Sequence, residues 1–251
     1  MSGAGNDFAV IDARDRQLDL KETAMNLCAR LGADGFMALE RSEKADFRLH
    51  FYNSDGLRGE MCGNGARCIC HVARILGIVG DTMTVETDAG LVYGAYLGGD
   101  CYRVRLNLPG LVDLSRRPDA AYVELGSPGV PHSVTFLDRI DHNDKESLRP
   151  LALEIRHDSV FPKGVNVNFC TRPAGGRVRI LTYERGVEDF TLACGTGSAS
   201  VAVVLWLTAQ LPEGRLEVEN PGGLLTVTIQ GANTIESIHL EGPVTVLKEY
   251  E

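Results

Sequence analysis

Hydrophobic and polar positions alternate along this chain in two rhythms, and together they predict a mixed α/β protein. A glycine-rich turn, Ser2-Gly-Ala-Gly-Asn-Asp-Phe8, runs into an apolar stretch from Phe8 to Ile11. Leu20, Ala24, Leu27, Cys28 and Leu31 then recur at helical spacing, with Gly32 as the stop. Phe47, Leu49 and Phe51 fall on one side of a strand over 46–52, closed by the turn Asn53-Ser-Asp-Gly56. After Glu60-Met-Cys-Gly-Asn-Gly65 a second helical pattern carries Ile69, Val72, Ala73 and Leu76 and ends at Gly77. Short strands follow over 82–86, 91–96 and 102–108, with Gly98-Gly-Asp100 as a hairpin turn.

Pro109-Gly110 and the polar Ser115-Arg-Arg-Pro-Asp119 read as a domain junction, and beyond them the same order returns. A strand over 122–125 enters a turn over 126–131, a helix spans about 147–156, and strands cover 165–171 and 177–183. Ala193-Cys-Gly-Thr-Gly197 opens an apolar helix through Val201, Val204, Leu205 and Leu207, and strands over 215–219, 224–229, 236–241 and 244–247 finish the chain. Cys62-Gly-Asn-Gly65 and Cys194-Gly-Thr-Gly197 share the form C-G-polar-G at about half the chain length, each at a predicted helix start. Gly5-Asn-Asp-Phe8 and Asn166-Val-Asn-Phe169 echo each other more loosely. A repeat at this period points to two copies of one α/β unit, since solenoids need shorter periods and more copies. The expected domains are 1–112, holding Cys62, and 113–242, holding Cys194, with a last strand near 243–251 returning to the first.

Composition narrows the class. The 251 residues carry 25 Lys+Arg against 34 Asp+Glu, a formal charge of −9, which argues against binding a nucleic-acid backbone. Neither an apolar run of about 20 residues nor a signal peptide is present, so no membrane partner is expected. Seven cysteines without a secretory context point to a reducing cytoplasm rather than a disulfide framework. The sequence is compatible with a homodimer without specifying one.

The two cysteine–glycine turns carry the chemistry. Glycine lets a ligand approach the main chain, and the first N–H groups of a helix have no internal partner. With the helix dipole they form a site suited to a carboxylate, and a cysteine there feels a field that favours its thiolate. Two such turns facing each other could hold one carboxylate and work on both faces of an α-carbon, one thiolate taking a proton while a thiol returns one. No cofactor and no metal are required. Cys62, Cys68 and Cys70 stand six and two residues apart, which does not match C-x₂₋₄-C, and positions 68 and 70 lie about 200° apart on a helix. A lone cysteine beside glycine is usually a small core residue, and so Cys28, Cys101 and Cys170 are read. The duplicated pair reverses that balance for Cys62 and Cys194. Neither turn has the lysine of a P-loop or a full G-x-G-x-x-G.

These residues are similar to a known family. Glu60-Met-Cys-Gly-Asn-Gly-Ala-Arg-Cys68 and Tyr183-Glu-Arg-Gly…Leu-Ala-Cys-Gly-Thr-Gly197 resemble the two signature motifs of the diaminopimelate epimerases. The opening turn, Gly32-Ala-Asp-Gly35, Phe51-Tyr-Asn-Ser-Asp-Gly56 and Phe161-Pro-Lys-Gly-Val-Asn-Val-Asn-Phe169 fit the same family, so the likeness runs from end to end. It implies two pseudo-symmetric α/β domains with an active site in the cleft between them. The implied activity is cofactor-independent interconversion of LL- and meso-diaminopimelate, on the lysine and peptidoglycan route. It implies Cys62 and Cys194 as the acid/base pair, and Gly63, Asn64, Gly195 and Thr196 as the helix-start positions holding the reacting carboxylate. Asn6, Asn53, Asn166, Glu184 and Arg185 would hold the rest of the substrate. Arginine takes a carboxylate bidentately and glutamate takes an ammonium, which suits a second amino-acid head. The competing readings of these side chains are a turn at Asn53, a strand-end pin at Asn166 and a solvated Glu184–Arg185 pair. Val130 stands where the family commonly has asparagine in G-N-P-H, and Phe190 where a glutamate is expected, so distal specificity is the open point. The loop from Glu184 to Cys194 is one residue longer than in the shorter family form, and a short strand usually precedes the first glycine turn. A racemase of another amino acid such as histidine is the closest alternative, followed by a non-catalytic amino-acid-binding relative.

Overall fold

A computed structural model describes residues 1–59, 62–211 and 214–249. The first two residues of the Glu60–Cys68 motif and the end of the strand expected near 243–251 lie outside the described residues. The chain divides into two compact units, one of residues 1–105 and 241–251, the other of residues 106–240.

In the first unit, β1 (Ser2–Gly3), β2 (Asn6–Asp12), β3 (Gly35–Glu40), β4 (Phe47–Asn53), β5 (Thr82–Thr87), β6 (Gly90–Gly98) and β7 (Cys101–Leu106) lie in sequence order across the sheet. Two helices complete it, α1 (Leu20–Leu31) and α2 (Gly63–Ile75). β2 runs parallel to β3, β3 antiparallel to β4, β4 parallel to β5, and β5 antiparallel to β6. Strand alternation sorts side chains to two faces. Phe36 and Ala38 of β3 pack with Ala24 and Cys28 of α1, whereas Met37 between them points at Gly65 of α2. β3 is therefore covered on both faces, and all but its last residue are buried. α1 is held at its start by the Asp19 carboxylate, which accepts from the Glu22 N–H (3.0 Å), and ends at Gly32 in the left-handed region (φ 67°).

The second unit contains β8 (Pro109–Arg117), β9 (Ala120–Gly126), β10 (Gly129–Leu137), β11 (Asn166–Thr171), β12 (Arg177–Glu184), β13 (Asp189–Thr191), β14 (Arg215–Asn220), β15 (Gly223–Gln230) and β16 (Ser237–Pro243). Its helices are α3 (Arg149–Arg156), preceded by a 3-10 turn over His142–Leu148, and α4 (Gly195–Leu207). β10 runs parallel to β11, β11 antiparallel to β12, β12 parallel to β14, and β14 antiparallel to β15, the same succession as β2 to β6. Val167 and Phe169 of β11 pack with Ala152 and Ile155 of α3, while Asn168 between them meets Gly197 of α4. From Glu241 the chain belongs to the first unit, where Thr245 exchanges two backbone hydrogen bonds with Ser2 (2.7 and 2.8 Å).

The structure departs from the sequence pattern in three places. Pro109–Arg117 is strand β8, paired with β9, so the stretch read as a junction is part of the second unit and the first domain ends at Arg105 instead of 112. The turn expected over 126–131 ends at Pro128, because β10 begins at Gly129; its alternation is hidden by a run of buried residues on both faces. The loose echo of Gly5–Phe8 in Asn166–Phe169 does not mark corresponding positions. Register aligns Phe8 opposite Gly35 and His132 opposite Asn166, so Gly5-Asn-Asp-Phe8 corresponds to Gly129-Val-Pro-His132.

Candidate active site

Both cysteines of the C-G-polar-G turns stand immediately before a helix. Cys62 caps α2 with an extended backbone (φ −101°, ψ 121°) and Cys194 caps α4 likewise (φ −119°, ψ 110°). Each carbonyl takes the first helical bond, from Ala66 N–H (2.8 Å) and from Ser198 N–H (2.9 Å). At Cys194 the sulfur also accepts the Gly197 N–H at 3.4 Å and lies 3.5 Å from the Thr196 hydroxyl. That is the behaviour expected of a sulfur held in the field of a helix start. Cys62 is half-buried, and Cys194 is 7% exposed.

Around α2 the first unit assembles a chain of side chains. Arg67 Nη2 donates to Asn64 Oδ1 (2.9 Å), and Asn64 Nδ2 donates to Asn6 Oδ1 (2.6 Å). Arg67 Nη1 also reaches back to the Gly63 carbonyl (3.2 Å). Asn64 is only 1% exposed, and its side chain braces the turn. Asn53 ends β4 opposite Gly35. Its backbone N–H and carbonyl make the turn, with Leu57 and Gly56, and its exposed amide makes no hydrogen bond among the described residues. The turn thus does not consume the side chain.

The second unit gathers Asn166, Glu184 and Arg185 in one corner. Asn166 is spanned by Pro131, whose carbonyl accepts from Nδ2 (3.0 Å), and by Arg185, whose N–H donates to Oδ1 (2.8 Å). Asn166 is therefore a strand-end pin that also sets the Arg185 backbone. The Arg185 guanidinium is exposed and donates to the Lys163 carbonyl (3.0 Å); it forms no ion pair with Glu184 among the described residues. Burial pushes the Glu184 carboxyl above its ordinary range, against the opposing effect of the neighbouring Thr191 hydroxyl. A buried carboxyl of this kind is suited to an incoming ammonium.

Three features escape a reading by motif. Arg67 is fully buried, and burial pulls its affinity for the proton below the usual arginine range. Its i, i+3 spacing from Asn64 was the available signal. Asn168 shares a strand face with Asn166 and joins four partners: it donates to the carbonyls of Ser133 (2.8 Å) and Asn166 (3.3 Å), contacts His132 Nδ1 (3.2 Å), and accepts from the Thr182 hydroxyl (2.9 Å). His132 is completely buried, and burial pushes its pKa down to about 3, with Arg185 adding repulsion. Phe190 lies in the core, edge-on to Tyr183 at 5.3 Å. The remaining thiols are structural: burial raises all of Cys28, Cys68, Cys70, Cys101 and Cys170, with Cys68 and Cys70 pushed up to about 12.

No described helix is long and apolar enough to cross a membrane. The family model for diaminopimelate epimerase matches residues 1–95 and 126–247. Diaminopimelate epimerase of Chlorobaculum tepidum is 35% identical over 250 residues, covering 97% of this chain and 96% of that protein. That of Aquifex aeolicus is 35% identical over 263 residues, covering 97% and 93%. Among solved structures, a phenazine biosynthesis protein from Bacillus anthracis superposes with a TM-score of 0.72 at 16% identity, covering 97% of this chain and 92% of that one. A probable proline racemase from Agrobacterium radiobacter gives 0.66 at 17%, covering 98% and 92%. These two share the fold, and the curated relatives share sequence over nearly the whole length. The chain therefore belongs to the diaminopimelate epimerase family and is an amino-acid epimerase.

Proposed function

We propose that this protein interconverts LL- and meso-diaminopimelate by a two-base proton transfer without pyridoxal phosphate, in cytoplasmic lysine and peptidoglycan synthesis. The observation that carries the reading is the duplicated arrangement of a cysteine as the N-cap of a glycine-rich helix, once per unit. With Cys62 and Cys194 on opposite faces of the α-carbon, the thiolate removes the α-proton and becomes a thiol. The opposite thiol delivers its proton and becomes the thiolate. The reverse reaction exchanges the roles. Between the two steps, negative charge develops on the substrate carboxylate. In this reading backbone N–H groups at Gly63, Asn64, Gly195 and Thr196 receive it, and excluding water strengthens each of these bonds. Asn6 and Asn53 in one unit and Asn166, Glu184 and Arg185 in the other hold the remaining groups. Glu184 accepts the distal ammonium and Arg185 the distal carboxylate.

The test is incubation with LL-diaminopimelate under reductant in deuterated water, with products resolved by chiral chromatography and NMR. The expected result is the meso form carrying one α-deuterium. One observation favours a second reading, a racemase of another amino acid: Val130 occupies the position corresponding to Asn6 and offers no polar group. Turnover of histidine or another amino acid in a substrate panel, with diaminopimelate unchanged, would select it. Deuterium exchange into none of them would overturn both.

A further inference from the structure

Arg67, Asn64 and Asn6 form a hydrogen-bonded relay whose direction is fixed at one end. Arg67 is fully buried in α2, and its guanidinium holds donors only. Nη1 donates to the Gly63 carbonyl (3.2 Å) and Nη2 to the Asn64 side chain (2.9 Å), so the Asn64 atom that faces it must be the oxygen. Asn64, 1% exposed, therefore turns its NH2 to Asn6, 2.6 Å away. The Asn6 atom that meets this NH2 must again be the oxygen. Half-buried Asn6 is left with its own NH2, which makes no hydrogen bond among the described residues. An asparagine amide carries both a donor and an acceptor, and an unconstrained one turns to suit its partner. This one is constrained. Turning Asn6 over sets NH2 against NH2, and turning Asn64 as well sets NH2 against the guanidinium. Either way a buried donor faces a donor, and a hydrogen bond is lost. The three positions also change as a set. Their counterparts in the second unit are Val130, Thr196 and Ala199, none with an amide or a guanidinium.

We propose that Arg67 is a positioning residue that decides what Asn6 binds: Asn6 presents a donor, and the group it receives is a carboxylate oxygen of the substrate, not an ammonium. The proposal rests on the reading of Asn6 as a substrate residue. Asn6 is one hydrogen bond from Asn64 in the first turn of α2, so the carboxylate concerned is the reacting one assigned to that helix start. An ammonium finds no acceptor on the Asn6 amide, because Asn64 already occupies the oxygen. Selection between the two charged groups of an amino acid is thereby set three residues into the helix, by a side chain that is itself fully buried.

Two measurements test this, and the first needs no substrate. Exchange of the Asn6 side-chain NH2 with water is followed by NMR, its signal identified by its loss in N6D. In the wild type this NH2 should exchange freely. N64D puts acceptors only between Arg67 and Asn6, keeps the arginine paired, and should turn Asn6 over, slowing its NH2 exchange about tenfold or more. R67M leaves the two directions equally open and should slow it about twofold, while R67K, again a donor only, should return the wild-type rate. Rates in folded N64D and R67M equal to the wild type overturn the proposal. So does a wild-type Asn6 NH2 that is already protected, should the variants fail to fold. The second measurement is kinetic, with LL-diaminopimelate. N6D keeps an oxygen for Asn64 but replaces the free NH2 by a second oxygen, and should raise KM about tenfold or more with a smaller change in kcat. A KM unchanged or lowered would mean an ammonium at Asn6 and overturns the proposal. Absence of wild-type turnover of diaminopimelate, with the exchange rates as described, removes the substrate assignment and upholds the relay.

Discussion

The two helix starts share a frame and differ in wiring. α2 and α4 are each 13 residues, each begins one residue after an extended cysteine, and each meets the second strand of a parallel pair. Corresponding positions nevertheless carry opposite kinds of side chain. Met37 faces Gly65 in the first unit, and Asn168 faces Gly197 in the second. Arg67 in α2 is matched by Ala199 in α4. Polar support therefore comes from the helix in the first unit and from the sheet in the second. The proton transfer proposed above, run in both directions, needs equivalent backbone donors, and the shared frame gives each unit a helix start of the same form. It does not need equivalent fields around the two sulfurs, and the side chains are free to differ.

Replacing either cysteine breaks the comparison outright. C62A and C194A should each lower epimerisation more than a hundredfold, the usual scale for losing an acid/base group. NMR of α-deuteration measures it, and a variant within tenfold of the wild type would remove that cysteine from the pair. A sharper contrast lies at the paired glycines. A Cβ on Gly197 would sit 2.2 Å from Asn168 Oδ1, a side chain pinned by four partners, whereas on Gly65 its nearest neighbour is the Met37 sulfur at 3.2 Å. G197A should cost about 1–3 kcal/mol by overpacking, lowering Tm by roughly 2–4 °C per kcal/mol. G65A should cost less, because a methionine side chain can move aside. Equal shifts in calorimetry would mean that Asn168 is not the rigid anchor described.

The smallest expected effect concerns acid. His132 is neutral in the folded second unit, with its pKa pushed from 6.5 to about 3. Below pH 6.5 the unfolded chain binds a proton that the native state does not, so this contribution to stability is intact above 6.5 and falls as pH drops toward 3. The slope is at most about 1.4 kcal/mol per pH unit. Urea unfolding of H132N between pH 7 and 5 should show a shallower acid loss than the wild type. An unchanged slope would place the acid sensitivity elsewhere.

Much of the site was legible because its chemistry is local. Cys62-Gly-Asn-Gly65 and Cys194-Gly-Thr-Gly197 mark helix starts by backbone needs that hold wherever the sequence folds, and their repetition reveals the duplicated unit. β8 and β10 were not legible, since proline, glycine and charged residues blur the alternation of β8 and a run of residues buried on both faces hides that of β10. Nor did Asn166 declare its dual part, because hydrogen bonds to Pro131 and Arg185 arise only when three distant segments meet. The sequence by itself determined most of the order of elements and the two glycine turns with their cysteines, all of which depend on neighbours a few positions away. Tertiary structure decided which polar groups are buried, and hence that Arg67 is a buried cation with no carboxylate ion pair among the described residues and His132 a neutral base. Burial and field depend on what packs around a group, and that is set by contacts across the whole unit.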